Sequence, residues 1–201
     1  MAFSGTVSSS VTIAGMTITG EVPRSANGAL AREVILPAGT AGVSENKTDA
    51  NTGDVTLEAG HGLSNDDTVD VYWDGGVRYG MDAQVATNVI TLDGGSGDDL
   101  PDNDTDMVVT EQVQITADFD GDDVQLIEVG CGQRCHLDFQ DSASASLAAV
   151  DVAAGEKWGW AASQAIANPL TGNATADIFA SNGSSTVAAT LKIGVLFDTT
   201  P

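Results

Sequence analysis

The sequence predicts an all-β protein: an antiparallel β-sandwich, jelly-roll-like, with a small β-barrel inserted into it. Three observations carry this expectation. Apolar and polar residues alternate over short stretches, helix-forming runs are scarce, and glycine-rich turn clusters separate the stretches at close spacing. The 201 residues are 42% hydrophobic, with a mean hydropathy of +0.02. A sizeable core can therefore be buried, and wholesale disorder is excluded.

Only residues 25–32 and 143–149 have helical composition. Val11 and Ile13 alternate with their neighbours, and Met16 and Ile18 resume the alternation after a one-residue shift at Ala14-Gly15, which predicts a hairpin or bent strand. Val34-Ile35-Leu36 is a short buried run that stops at Pro37-Ala38-Gly39, where the chain turns polar and acidic. A boundary near Gly42 follows.

Strands are expected at 54–57, 68–73, 78–85 and 88–92, separated by Gly60-His61-Gly62, Asp74-Gly75-Gly76 and Asp93-Gly94-Gly95. Such clusters supply the positive φ that tight turns need. Four strands in so short a stretch imply a small barrel with Val55, Leu57, Val69, Val71, Trp73, Val85, Ile90 and Leu92 inside. Residues 94–106 read as an acidic loop closed by Pro101.

Beyond it, Val113, Ile115, Ala117 and Phe119 alternate with polar residues, so one face of that strand is buried and one is wet. Asp120-Gly121-Asp122-Asp123 turns the chain, and strands at 124–129, 137–139, 147–152 and 157–161 read as an antiparallel meander. The last strand puts Val187, Ala189, Leu191, Ile193, Val195 and Phe197 on one face, and its length marks it as central. The expected organisation is a sandwich from residues 1–41 and 108–201 with a barrel at 42–107 between its strands. Insertion at a surface loop costs little closure entropy; a plain tandem is the alternative.

The net charge is −22, from seven basic and 29 acidic residues, 22 of them Asp. Twenty of the acids but only Lys47 and Arg78 fall in residues 45–123. Phosphate contacts need clustered Lys and Arg, so nucleic acid is excluded as a partner, and an anionic membrane is excluded for the same reason. An acidic, Lys-poor surface also suits salty water. No apolar run reaches the length of a membrane span, and Met1-Ala2-Phe3-Ser4-Gly5 has no signal-peptide character. A soluble, cytoplasmically made protein is expected.

Catalytic motifs are incomplete. Gly94-Gly95-Ser96-Gly97-Asp98 lacks the last glycine of a nucleophile elbow. Gly130-Cys131-Gly132-Gln133-Arg134-Cys135 departs from a dinucleotide loop at its last position. With His61 and His136 the only imidazoles, the chain is expected to be no enzyme and to hold no cofactor. Cys131 and Cys135 read first as two free thiols, second as a local disulfide made through a turn at Gly132, and third, with His136, as a metal site. Asp102, Asp104 and Asp106 occupy the first oxygen positions of a calcium loop, but Met107 replaces its glycine and no bidentate Glu follows. A solvated acidic loop is the commoner case. Trp158 and Trp160 share one strand face, suited to a core edge, a subunit contact or a sugar platform. The polar arm 2–10, with Ala2 and Phe3, is a second candidate contact. Sequons at Asn46, Asn103, Asn173 and Asn182 carry little meaning without a signal peptide.

Two stretches carry a resemblance. Ala59-Gly60-His61-Gly62-Leu63 followed by Asp67-Thr68-Val69-Asp70-Val71-Tyr72-Trp73 resembles a barrel unit of tailed-bacteriophage virion proteins, with Asp66 where that unit has Gly. Val152-Ala153-Ala154-Gly155-Glu156, with Ile178-Phe179-Ala180-Ser181-Asn182-Gly183-Ser184 and Ala188-Ala189-Thr190-Leu191-Lys192-Ile193, is similar to small sandwich domains of phage head-decoration and tail proteins. The resemblance covers about half the chain. It implies a non-enzymatic virion protein, a capsid decoration, cement or spike part, whose partners are copies of itself and other virion proteins. A tail tube subunit is the alternative, and a receptor- or glycan-binding β-module the second.

Overall fold

The computed structural model describes residues 3–13, 16–94, 100–162, 167–171 and 174–198. Every regular element among them is a β-strand, apart from one 3-10 turn at Gly121–Asp123. Strands β1 (Phe3–Ile13) and β2 (Met16–Ala26) form a two-stranded antiparallel ribbon, with Ile13 opposite Met16 and Phe3 opposite Ala26. The expected turn at Ala14-Gly15 lies outside the described residues. Residues 3–10 are regular strand rather than a flexible arm.

The stretch 25–32, helical by composition, instead ends β2 and opens β3 (Gly28–Leu36), which pairs along its full length with the last strand. Pairing on a sheet overrides a weak local preference. The same holds at 143–149, which runs through a turn into the strand Ser146–Val152.

From β3 the chain enters a closed barrel: β4 (Thr40–Lys47), β5 (Thr52–Leu57), β6 (Asp67–Trp73), β7 (Gly76–Ala86), β8 (Val89–Asp93) and β9 (Asp106–Glu111). Their order around the barrel is β4-β5-β8-β7-β6-β9. The barrel has six strands rather than four, because β4 and β9 pair with each other and close it. Closure leaves no exposed sheet edge. Val55, Leu57, Val69, Val71, Ile90 and Leu92 fill it with Met81, Ala83, Leu100, Met107 and Val109, while Trp73 and Val85 are half-buried against that core.

The chain returns as β10 (Val113–Asp120) and continues through β11 (Val124–Cys131), β12 (Cys135–Gln140), β13 (Ser146–Val152), β14 (Lys157–Ala161), β15 (Ala174–Asn182) and β16 (Ala189–Phe197). These make two four-stranded sheets, β10-β15-β12-β13 and β14-β11-β16-β3. The meander expectation is corrected here. The chain passes from sheet to sheet at nearly every connection, so that the apolar faces of both sheets meet in one core. β16 lies inside its sheet, between β11 and β3, with Ala189, Leu191, Ile193 and Val195 buried. Val187 precedes the strand and is exposed, and Phe197 stacks on Phe119. The barrel core and the sandwich core are separate clusters.

Candidate functional site

The densest collection of chemically capable side chains lies where the barrel meets the sandwich. On β6, Val69 and Val71 face the barrel core, yet Asp70 and Tyr72 on the opposite face are buried too. Tyr72 hydroxyl lies 2.5 Å from Ser181 Oγ of β15, and Ser181 donates its own proton to Asp70 Oδ2. The Tyr72 hydroxyl is therefore the donor to Ser181. Asp70 Oδ1 also accepts from the Gly80 amide at 2.9 Å and from Gln112 Nε2 at 2.7 Å. Burial pushes the Asp70 carboxyl above the usual carboxylate range, against the pull of these donors and of nearby His136. Burial and the Asp70 charge push the Tyr72 hydroxyl up as well.

A second chain of contacts lies alongside. Tyr79 of β7 donates to Asp151 Oδ1 of β13 and stacks on His136 of β12, ring centroids 3.4 Å apart. His136 Nδ1 sits 3.2 Å from the same Asp151 oxygen. Burial and the bond to Asp151 raise the Tyr79 pKa. Tyr72 and Tyr79 meet edge to face, and the Arg134 guanidinium lies 5.1 Å over the Tyr72 ring.

A serine beside a carboxylate and a histidine beside another imitate hydrolytic machinery, but the geometry does other work. Ser181, Asp70 and His136 are 1%, 0% and 2% exposed. The Ser181 oxygen already accepts from Tyr72 while its proton is held by Asp70. This seam bonds the barrel to the sandwich, with its serine and histidine closed off from solvent and the Asp151 carboxylate its exposed member.

The expected ligand residues fall elsewhere. Cys131 and Cys135 form a disulfide, which replaces the free-thiol expectation. The chain turns between β11 and β12, bringing the Cα atoms to 6.4 Å, well below the separation of an extended strand. Gly132 N and Gly183 N, bonded to Thr190 O and Arg134 O, pin this loop and set Arg134 above Tyr72. His136, the third residue of the metal reading, belongs to the seam.

Asp102 is exposed and 4.0 Å from Lys47 Nζ, Asn103 Oδ1 accepts from the Lys47 amide, Asp104 sits at φ 63°, and Asp106 opens β9. Asp102, Asp104 and Asp106 do not assemble a site, and no three His, Cys, Asp or Glu side chains among the described residues do. Trp160 is buried in the sandwich core, and Trp158 is half-buried against it, so they present no open sugar platform. Phe3 opens β1 opposite Ala26, and Ala2 lies outside the described residues. His61 ties its loop together, its Nδ1 accepting from the Leu63 amide and its Nε2 lying 2.8 Å from Thr87 O.

One open feature went unread in the sequence. A cleft of about 700 Å³ lies at the barrel mouth beside the sandwich, with Leu57 and Met107 in its lining and Trp73, Arg134, Asp74 and Asp106 around it. A Cβ on Gly76 would fall 2.3 Å from the Trp73 indole, so glycine lets that ring lie flat on the β6–β7 turn. The chain matches no protein-family model, no curated protein and no solved structure.

Proposed function

We propose that this is a non-enzymatic virion structural protein, a capsid decoration, cement or spike part of a tailed bacteriophage or related virus, made in the host cytoplasm and acting in many copies. It binds itself and other virion proteins, and neither nucleic acid nor membrane. One observation carries the reading: a two-stranded ribbon whose only charged side chains are Glu21 and Arg24 is attached to a body that holds the whole net charge of −22. A strongly acidic body keeps copies apart and soluble, and a neutral extension gives them one place to meet. The resemblance of the Gly60-His61-Gly62-Leu63 stretch and of the β15 and β16 sequences to virion proteins agrees with it. Negative-stain microscopy of the purified chain tests the proposal: discrete small multimers are expected, stacked rings or tubes would point to a tail tube subunit, and isolated monomers would overturn assembly.

The cleft favours a second reading, a receptor- or glycan-binding module using Trp73 and Arg134 rather than Trp158 and Trp160. Saturable glycan-array binding that disappears in Trp73→Ala would support it. A blank array with the intact protein would dismiss it.

A further inference from the structure

Strand alternation splits β12 and β15 into two faces. Leu137, Phe139, Ile178 and Ala180 lie in the sandwich core, so His136, Asp138, Gln140 and Phe179 share the opposite face. On that face the barrel covers the row Asp151, His136 and Ser181, through bonds and ring contacts to Tyr79, Tyr72 and Asp70. Beside the next row, where Asp138 stands opposite Phe179, barrel and sheet leave a hollow of about 420 Å³. Tyr79, Gln112, His136, Asp138, Gln140 and Phe179 are in its lining. Its volume suits a small ligand or a single inserted side chain.

The lining is rich in acceptors. The amide nitrogens of Gln112 and Gln140 donate to Asp70 and Asp138, each at 2.7 Å, which leaves both amide oxygens with no partner among the described residues. Asp138 is half-buried and accepts from the Ser146 hydroxyl, yet no Lys or Arg pairs with it among the described residues. His136 points most directly to a ligand. Its side chain is 3% exposed, and its Nδ1 lies 3.2 Å from Asp151 Oδ1. A carboxylate only accepts, so Nδ1 carries the proton, and the neutral ring keeps a lone pair at Nε2. Tyr79 covers one face of that ring, and Nε2 makes no bond to any described residue.

A half-buried carboxylate without a cation and a buried lone pair without a donor are both satisfied by a ligand that brings donors and positive charge. We infer that this hollow receives an arginine side chain from a different protein. A guanidinium holds five N–H donors in one plane, enough for Asp138, His136 Nε2 and the amide oxygens, and is weakly enough hydrated to lie against the Phe179 ring. Charge selects the source. The chain carries −22, so the bodies of two copies repel, while a basic surface on another chain is drawn in. This names one partner chemistry for the assembly reading above and rests on it.

The test titrates the full chain at about pH 8 with N-acetyl-arginine amide, whose guanidinium is its only charge. The corresponding citrulline amide has nearly the same shape and no charge. The chain has two histidines, so the imidazole nitrogens of His136 are read by NMR beside those of His61. The blocked arginine is expected to saturate a shift at His136 Nε2 in the millimolar range, and the citrulline amide to bind at least about tenfold more weakly. Asp138→Asn should weaken the arginine at least about tenfold. Phe179→Leu, which keeps apolar bulk without the ring, should weaken it about threefold or more. Glu128→Gln removes a charge from the other sheet and should leave binding as it was. No saturable shift, equal binding of the citrulline amide, undiminished binding in Asp138→Asn, or equal loss in Glu128→Gln overturns the site. Binding of agmatine without binding of the blocked arginine would give the hollow to a free small guanidine and overturn the protein source. In each of these cases the multimers seen by microscopy still decide the assembly reading on their own.

Discussion

The body and the ribbon use opposite halves of the amino-acid alphabet. In the body, a cluster of reactive side chains is bonded across the junction: buried Asp70, Ser181, Tyr72 and His136, half-buried Tyr79 and exposed Asp151 join a closed barrel to a two-sheet sandwich. In the ribbon, Ser, Thr and Val make up most of the chain, and Glu21 and Arg24 are its only charged residues. The residues that look functional join barrel to sandwich, and the proposed assembly leaves its contact to the plain ones. Changes in the body should therefore cost stability without altering assembly, and changes in the ribbon should do the reverse.

The largest expected effect is at the centre of the seam. Asp70→Ala leaves the Gly80 amide, Gln112 and Ser181 without their acceptor and should cost about 3 kcal/mol or more in urea unfolding. The pH dependence has a definite sign. Because burial raises the Asp70 pKa above its ordinary 3.8, the folded chain binds the extra proton between those two values. Its contribution to stability falls as pH rises through that window and is flat above it. Asp70→Asn should remove this slope when urea midpoints are compared from about pH 4 to about pH 7.

Next is the hydroxyl relay. Ser181→Ala orphans the buried Tyr72 hydroxyl and should cost about 2 kcal/mol, against about 1 kcal/mol for Tyr72→Phe, which removes a donor and leaves the ring packed. Chemical denaturation of both variants decides whether the order holds. Reducing the Cys131–Cys135 disulfide closes no long loop, and a loss of about 2 kcal/mol is expected. Hydrogen exchange should confine it to the sandwich side near Arg134. The smallest effect is Glu128→Gln, which breaks the exposed 2.7 Å pair with Lys157 and should change stability by less than about 0.5 kcal/mol. A body variant that stays folded yet changes the molecular mass would break the division between the two regions.

The strands were legible wherever one face is wet. Alternation located β10, and the glycine clusters bracketed β5 to β8 within two residues at every end. β4 escaped because Gly42, Ser44 and Glu45 blur its apolar period, and β9 because its short Met107-Val108-Val109 run sits against the acidic loop; the two close the barrel by pairing with each other, with Met107 and Val109 in its core. The helical stretches misled because composition ignores the sheet edge that receives them. The seam was not legible at all. Its members come from residues 70, 72, 79, 112, 136, 151 and 181, and each alone reads as a wet strand position. Only a strand with both faces covered, such as Asp70-Val71-Tyr72, distinguishes them, and what covers the second face is set by the packing of barrel on sandwich.

The proposed assembly of an acidic body through a ribbon of no net charge has a salt signature that no variant is needed to read. Light-scattering mass of the unchanged chain, measured as salt rises, should climb from a mixture to a discrete multimer, because salt screens repulsion between the acidic bodies. A monomer at every salt concentration, or a multimer that falls apart as salt is added, would contradict it.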